Sequence, residues 1–201
     1  MNKQKKIILA SQSQARQKLL RNSGIQFESV NPRIDEDSVK LSLISENFRP
    51  REIADALAEI KAQKISQKFP EDIVLGCDQV LDWDGEIYSK PSNMDEAHAQ
   101  LKLLRGQTHR LHSAAVIYLN TRPIWRIVNT SKMTMRDFSD DFLSEYVHRN
   151  WPGIGLSPGA YQIEEEGIQL FSKIDGDYFS ILGLPILEVL GYLMTRGEIP
   201  K

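Results

Sequence analysis

Two hydrophobic periods take turns along this chain, and their alternation predicts an α/β fold. Residues 6–10 form a short apolar run of the kind that fills a buried strand. It passes directly into SQSQARQKLLRNSG, where Ser11 and Ser13 are candidate helix N-caps, Leu19 and Leu20 mark an apolar face, and Gly24 is a natural stop. Residues 26–30 predict a second strand, and the polar stretch 31–45 predicts a loop-rich segment. Pro50 opens a helix with Ile53, Leu57 and Ile60 on one face, running as far as Gln67. Strand-like runs at 72–76 and 80–83 flank Gly76-Cys77-Asp78-Gln79. Asp84-Gly85 then predicts a hairpin turn into residues 86–88.

Ser92 or Asn93 caps a helix carrying Ala97, Leu101 and Leu104, closed by Gly106. Two long β-rich runs follow, 109–119 and 124–135. Residues 140–149 read as a helix and 151–158 as a loop. A Gly-rich β region then leads to a last helix over 185–196. No repeat, low-complexity tract or clean linker interrupts the pattern, so residues 1–201 read as one domain.

Composition narrows the function classes. The 201 residues carry 25 basic and 27 acidic side chains, a net charge of −2. That balance argues against the broad basic face of a nucleic-acid binder. A single cysteine, Cys77, excludes an internal disulfide and a multi-cysteine zinc site. No apolar run approaches the roughly 18 residues of a membrane span. The apolar part of MNKQKKIILASQS is shorter than the roughly 7–15 residues of a signal segment. No membrane partner and a cytoplasmic location are therefore expected.

Several residues are candidates for chemistry. A strand running into Ser-x-Ser-x-x-Arg and a helix offers free backbone N–H groups, hydroxyls and an Arg fork, all suited to phosphate. The bland alternative is an ordinary cap with a surface Arg. Asp78 among Val74, Leu75, Val80 and Leu81 needs a cation or several donors if it is buried, and is a solvated edge acid if it is not. Lys61 borders the apolar stripe of its helix, where it either snorkels or reaches an anion. Lys90 precedes Pro91 at the close of the hairpin. Asp35-Glu36 is a solvated pair or, with Asp78, a set of oxygens fit for magnesium. Glu164 lies in Gly-Ala-Tyr-Gln-Ile-Glu, a turn entering a strand. The histidines show no metal-ligand spacing and receive no role.

Each signal is weak alone, but their order is specific. LASQSQARQKLL, FESVNPRIDED, LAEIKAQKI, VLGCDQVLDWDGEIYSKP, LRGQTH, GAYQIEEEG and GDYFSILGLPI, in that sequence, resemble the Maf family of nucleoside triphosphate pyrophosphatases. The resemblance implies a mixed, elongated sheet with flanking helices and two lobes around a deep cleft, akin to the inosine triphosphatase architecture. It also implies a homodimer that takes a nucleotide triphosphate to monophosphate and pyrophosphate with Mg²⁺ or Mn²⁺.

Carried over residue by residue, Ser11, Ser13 and Arg16 match the phosphate-binding block, and Glu36 an acid of the catalytic site. Lys61 and Lys90 match lysines facing the triphosphate. Asp78 matches the catalytic proton acceptor and shares with Glu36 the role of metal ligand. Three positions are associated with base choice, and here they hold Ala15, Gln79 and Glu164. The family's common Ser-Pro-Arg-Arg is Ser13-Gln14-Ala15-Arg16 in this chain. Gln and Glu resemble the branch acting on 7-methyl-GTP. A carboxylate accepts from guanine N1–H and N2 and favours a methylated, cationic purine, whereas a Gln amide both donates to and accepts from a pyrimidine edge. The alternatives are a dTTP/UTP pyrophosphatase of the same family and a non-enzymatic regulator of septation.

Overall fold

The computed structural model describes residues 5–200. Its elements in chain order are β1 (Ile7–Ala10), α1 (Gln14–Asn22), β2 (Glu28–Ser29), α2 (Glu36–Ser45), α3 (Pro50–Ser66), β3 (Ile73–Trp83), β4 (Glu86–Tyr88), α4 (Met94–Leu104), β5 (Thr108–Leu119), β6 (Arg122–Met135), α5 (Asp140–Asn150), β7 (Phe171–Asp175), α6 (Tyr178–Ile181) and α7 (Ile186–Thr195). The strands hydrogen-bond in the order β2-β1-β3-β5-β6-β7, with β4 on β3. β1 is parallel to β2 and β3, while β4 runs antiparallel to β3 and β7 antiparallel to β6. The fold is α/β, as the sequence pattern predicts, with the mixed sheet that the family resemblance implies, here of seven strands. Contacts divide the chain into two compact units. The first runs through Gln79 and adds Ser113–Asn129 and the chain from Asp177 onward; the second holds Val80–His112 and Thr130–Gly176.

In the first unit β1 lies between two parallel partners, and all four of its side chains are buried. A strand covered on both faces needs a continuous apolar run, which Ile7–Ala10 supplies. The chain leaves β1 through α1 to β2 on one side, then returns through α2 and α3 to β3 on the other. That reversal makes the carboxyl end of β1 a topological switch point, the place where open α/β sheets bind ligands. One face is covered by α1 and α7, with Leu20, Leu75, Cys77, Ala115, Val189 and Leu193 in one core. The opposite face of β3 receives α3, whose Ile53, Leu57, Ala58, Ala62 and Ile65 are fully buried.

Three sequence expectations need correction. Residues 36–45, expected as loop, are the helix α2, which buries none of its residues. It lacks the apolar stripe that announces a helix and is held instead by Asp35, whose carboxylate accepts from the Ser38 N–H at 3.1 Å, and by two acids in its first turn. The second strand is short, with Glu28–Ser29 paired. The expected break at 76–79 is absent, because β3 runs unbroken from Ile73 to Trp83 and places Asp78 inside a strand.

The second unit follows its turn signals closely. Asp84 and Gly85 both take positive φ, 54° and 86°, in the hairpin between β3 and β4. Asn93 and Ser139 cap α4 and α5. His109 is buried against Tyr161 and Phe171, its Nε2 2.7 Å from the Tyr161 hydroxyl. Among the described residues no helix is long and apolar enough to cross a membrane.

Candidate active site

The site is assembled from the backbone outward. Gly76 is the last β3 residue in register with β1, opposite Ala10. A Cβ on Gly76 would overlap the Ala58 carbonyl oxygen and the Ala62 amide. Glycine therefore lets α3 lie directly on β3, and Lys61, one residue before Ala62, comes down over Asp78.

The Lys61 ammonium donates to Asp78 Oδ1 at 2.7 Å and pairs with Glu36 Oε1 at 2.8 Å. Lys61 and Asp78 are each 4% exposed. The bland readings of both residues fail on this burial: Lys61 does not snorkel and Asp78 is not an edge acid. Asp78 Oδ2 is buried and has no hydrogen-bond partner among the described residues. A buried carboxylate oxygen left without a donor is costly unless a ligand completes it. Glu36 opens α2 and is half-exposed. Burial pushes its pKa up, but the Lys61 ammonium, helped by Lys40 and Arg16, outweighs this and holds the carboxyl below its ordinary range. Asp35, expected as a partner in an acid pair, is instead committed to its cap, accepting from both the N–H and the hydroxyl of Ser38.

At the end of β1, Ser13 is the N-cap of α1; Ser11 is not, and accepts from the Ser13 N–H at 3.2 Å. Arg16 is buried. Its Nε donates to the Gly183 carbonyl at 2.8 Å, and its Nη1 to the Cys77 carbonyl at 3.0 Å and Ser11 Oγ at 3.3 Å. Nη2 has no partner among the described residues. Gly183 has φ +100°, and its Cα faces the guanidinium closely enough that a Cβ would sit 3.3 Å from Nε. Cys77 is wholly buried, and burial pushes its thiol pKa up to about 12. It is a core residue and not a nucleophile.

Strand alternation sends the neighbours Asp78 and Gln79 to opposite faces of β3. Gln79 faces the side of Arg16, and its Nε2 donates to Ser113 Oγ, Ser180 O and Ile181 O at 2.9, 3.1 and 2.9 Å. Ala15 sits half-buried in the first turn of α1. The first unit thus holds Lys61, Asp78 and Glu36 together on one face of β3, Ser11, Ser13 and Arg16 together at the end of β1, and Gln79 on the other face of β3, with Ala15 also in this unit. Lys90, exposed after β4, and Glu164, exposed in a turn ahead of β7, belong to the second unit. Sequence reasoning missed Ser113, Ser180 and Gly183. Ser113 directly follows His112 and precedes the apolar run 114–119 of β5, and no spacing links it to Gln79.

The Maf-like protein family matches residues 6–196. This chain is a member of that family. Among relatives, a nucleoside triphosphate pyrophosphatase of Ruegeria sp. (strain TM1040) is 52% identical over 97% of this chain and 98% of its own length. One of the same name from Caulobacter vibrioides is 50% identical over 96% of each chain. A 7-methyl-GTP pyrophosphatase of Brucella abortus is 45% identical over 94% of each. As a Maf-like chain it carries its buried Lys–Asp pair two residues beyond Gly76, beside the carboxyl end of β1.

Proposed function

We propose that this Maf-like chain is a nucleoside triphosphate pyrophosphatase, a hydrolase of acid anhydrides that releases pyrophosphate and leaves the nucleoside monophosphate. The observation that carries the reading is the buried Lys61–Asp78–Glu36 cluster with Asp78 Oδ2 unpartnered, beside the N-terminus of α1. The names of the relatives supply the reaction class.

A triphosphate brings several negative charges. Lys61, the Nη2 of Arg16 and the first turn of α1 offer donors and positive charge to meet them. In the proposed step water attacks the α-phosphorus and the bond to the bridging oxygen breaks, so that pyrophosphate departs. Asp78 Oδ2, which has no protein partner among the described residues, accepts the proton that this water gives up as the new P–O bond forms, and passes it to solvent after pyrophosphate leaves. Lys61 keeps Asp78 and Glu36 in place. A divalent cation fits the donor set, since Mg²⁺ or Mn²⁺ takes one or two carboxylates and completes its shell with phosphate and water. Asp78 and Glu36 would hold it. When bound, it would withdraw charge from the phosphates.

For Lys90 on the triphosphate and Glu164 at the base, the support is the family pattern. Gln79 and Glu164 also support 7-methyl-GTP as substrate, as does the name of the Brucella relative. The relatives at higher identity have names that specify no base, and dTTP and UTP remain the second reading on the family resemblance alone. A cytoplasmic homodimer completes the proposal, on the same resemblance.

The test is pyrophosphate release from 7-methyl-GTP, dTTP, UTP, GTP and ATP, with and without Mg²⁺, and with EDTA. We expect Mg²⁺-dependent release, greatest from 7-methyl-GTP. Asp78→Asn should fold normally and lose at least about a thousandfold in kcat. Release by Asp78→Asn within tenfold of the parent would remove Asp78 from the mechanism, and no release from any nucleotide would sink the enzyme reading.

A further inference from the structure

The second unit carries a row of hydroxyl, imidazole and carboxylate that shares no residue with the cluster on Lys61. Between the neighbouring strands β5 and β6, His112 Nδ1 lies 2.9 Å from Thr130 Oγ1. His112 Nε2 lies 3.2 Å from Asp82 Oδ2 on β3. Asp82 and His112 are buried, whereas Thr130, at the end of the row, is exposed. The pyrophosphatase reaction proposed above uses none of the three. Sequence spacing gives no hint of the row, because it runs across three strands.

The carboxylate fixes the direction of every hydrogen in the row. Asp82 Oδ1 accepts from the Gly85 N–H at 2.8 Å, and Arg110 Nη1 stands 3.7 Å from Oδ2. An ionised carboxylate can only accept, so the proton of a neutral His112 sits on Nε2. Nδ1 is then a lone pair, and the Thr130 hydroxyl donates to it. The lone pairs of Thr130 Oγ1 are left without another partner among the described residues. A hydroxyl held by a base that is itself oriented by an acid is the arrangement that activates a nucleophile.

The strands also bring cations beside this hydroxyl. Thr108 and Thr134 pair across β5 and β6 as His112 and Thr130 do, at 2.9 Å. The two cross-strand pairs bracket Arg110 and Lys132 and set them opposite each other, both exposed. Like charges facing across a ladder are destabilising. Asp175 on β7, opposite Lys132, offsets part of this. A chain of hydrogen bonds that served only to join the strands has no use for the two cations. Negative charge developing beside Thr130 does.

We infer that Thr130 is a second nucleophilic site of this chain, one that accepts the acyl group of an activated carboxylic ester. As Thr130 Oγ1 bonds to the carbonyl carbon, its proton passes to His112 Nδ1. The carbonyl oxygen takes up the negative charge, which Arg110 and Lys132 stabilise. The adduct then expels the alkoxide, which leaves with the electron pair of the broken C–O bond and takes the proton from His112. Thr130 is left as its ester. Asp82 is a positioning residue that keeps the imidazole in the tautomer able to take the proton. The inference is independent of the pyrophosphatase reading.

The test exposes the full chain to p-nitrophenyl acetate, follows nitrophenolate release, and locates acetyl groups by peptide fragmentation. We expect an acetyl ester on Thr130, formed at least about a hundredfold faster than on Thr195, the size of effect a positioned general base supplies. Thr195 is the comparison because it is also exposed but donates its hydroxyl to the Gly191 carbonyl, at 2.8 Å. His112→Gln and Asp82→Asn should each slow acetylation of Thr130 at least about tenfold. In Asp82→Asn an amide that donates to Nε2 moves the ring proton to Nδ1, against the hydroxyl. Thr130→Ser should keep the reaction. A row that only joins the strands predicts lower melting temperatures in these variants and no ester on the parent. An acetyl found on Lys132 but not on Thr130, an ester on Thr130 that forms no faster than on Thr195, or equal labelling of the parent and His112→Gln would overturn the inference. The first two of these outcomes are read on the parent protein and need no variant to fold.

Discussion

At the scale of single residues, the buried ion pair decides most. Removing the Lys61 ammonium leaves Asp78 as an uncompensated buried charge, and breaking such a pair costs about 3–5 kcal/mol. Lys61→Met should therefore lower the urea midpoint markedly as well as stop turnover. Asp78→Asn, which leaves no charge stranded on the carboxyl side, should cost less stability for a similar loss of activity. A second residue, in the second unit, sets a pH dependence of its own. Burial pushes the His109 pKa down from 6.5 to about 4. Its folded-state value is depressed, so the stability it confers is complete above pH 6.5, where the unfolded chain is also neutral. It is lost as pH falls toward 4, at up to about 1.4 kcal/mol per pH unit. Denaturant titrations between pH 7 and 4 should show this slope, and His109→Phe should flatten it. Asp78 and Lys61 were legible in the sequence as residue types out of place among apolar neighbours. Sequence alone could not choose between an exposed and a buried Asp78, because that depends on β3 having partners on both sides.

At the scale of elements, one glycine sets the distance between helix and strand. Gly76→Ala would force α3 away from β3, since the clash is with main-chain atoms that cannot rotate aside. Overpacking of this kind costs about 1–3 kcal/mol. It also lengthens the Lys61–Asp78 contact, so kcat should drop more than melting temperature alone would suggest. A Gly76→Ala protein that melts lower yet turns over normally would show that the contact tolerates slack. The helices that sequence reading found are those with an apolar stripe, α1, α3, α4, α5 and α7. It missed α2 because Glu36–Ser45 buries nothing and the period of its apolar residues carries no message. What forms α2 is a cap and two acids, a signal that resembles a polar loop when read without a partner face. That element carries Glu36, so the part of the site hardest to see was the part resting on the least core.

At the scale of the whole molecule, the order of elements was more informative than any one of them. Alternating helix and strand patterns gave the α/β class, and near-neutral charge removed nucleic acid from the partners to be expected. The strand order with β1 between β2 and β3 lay outside that pattern, since periodicity says that a strand exists but not beside which other strand it lies. The same order has a consequence for Cys77. It is the chain's single thiol, sealed in the middle of the central strand, with burial raising its pKa to about 12 and its carbonyl gripped by Arg16. Such a sulfur is chemically silent while the strand is paired. Consumption of a thiol reagent by the native protein would therefore run as a stopwatch on the opening of β3, one tick per excursion. It should run faster in Gly76→Ala, and slower when a bound nucleotide monophosphate steadies the strand beside Asp78.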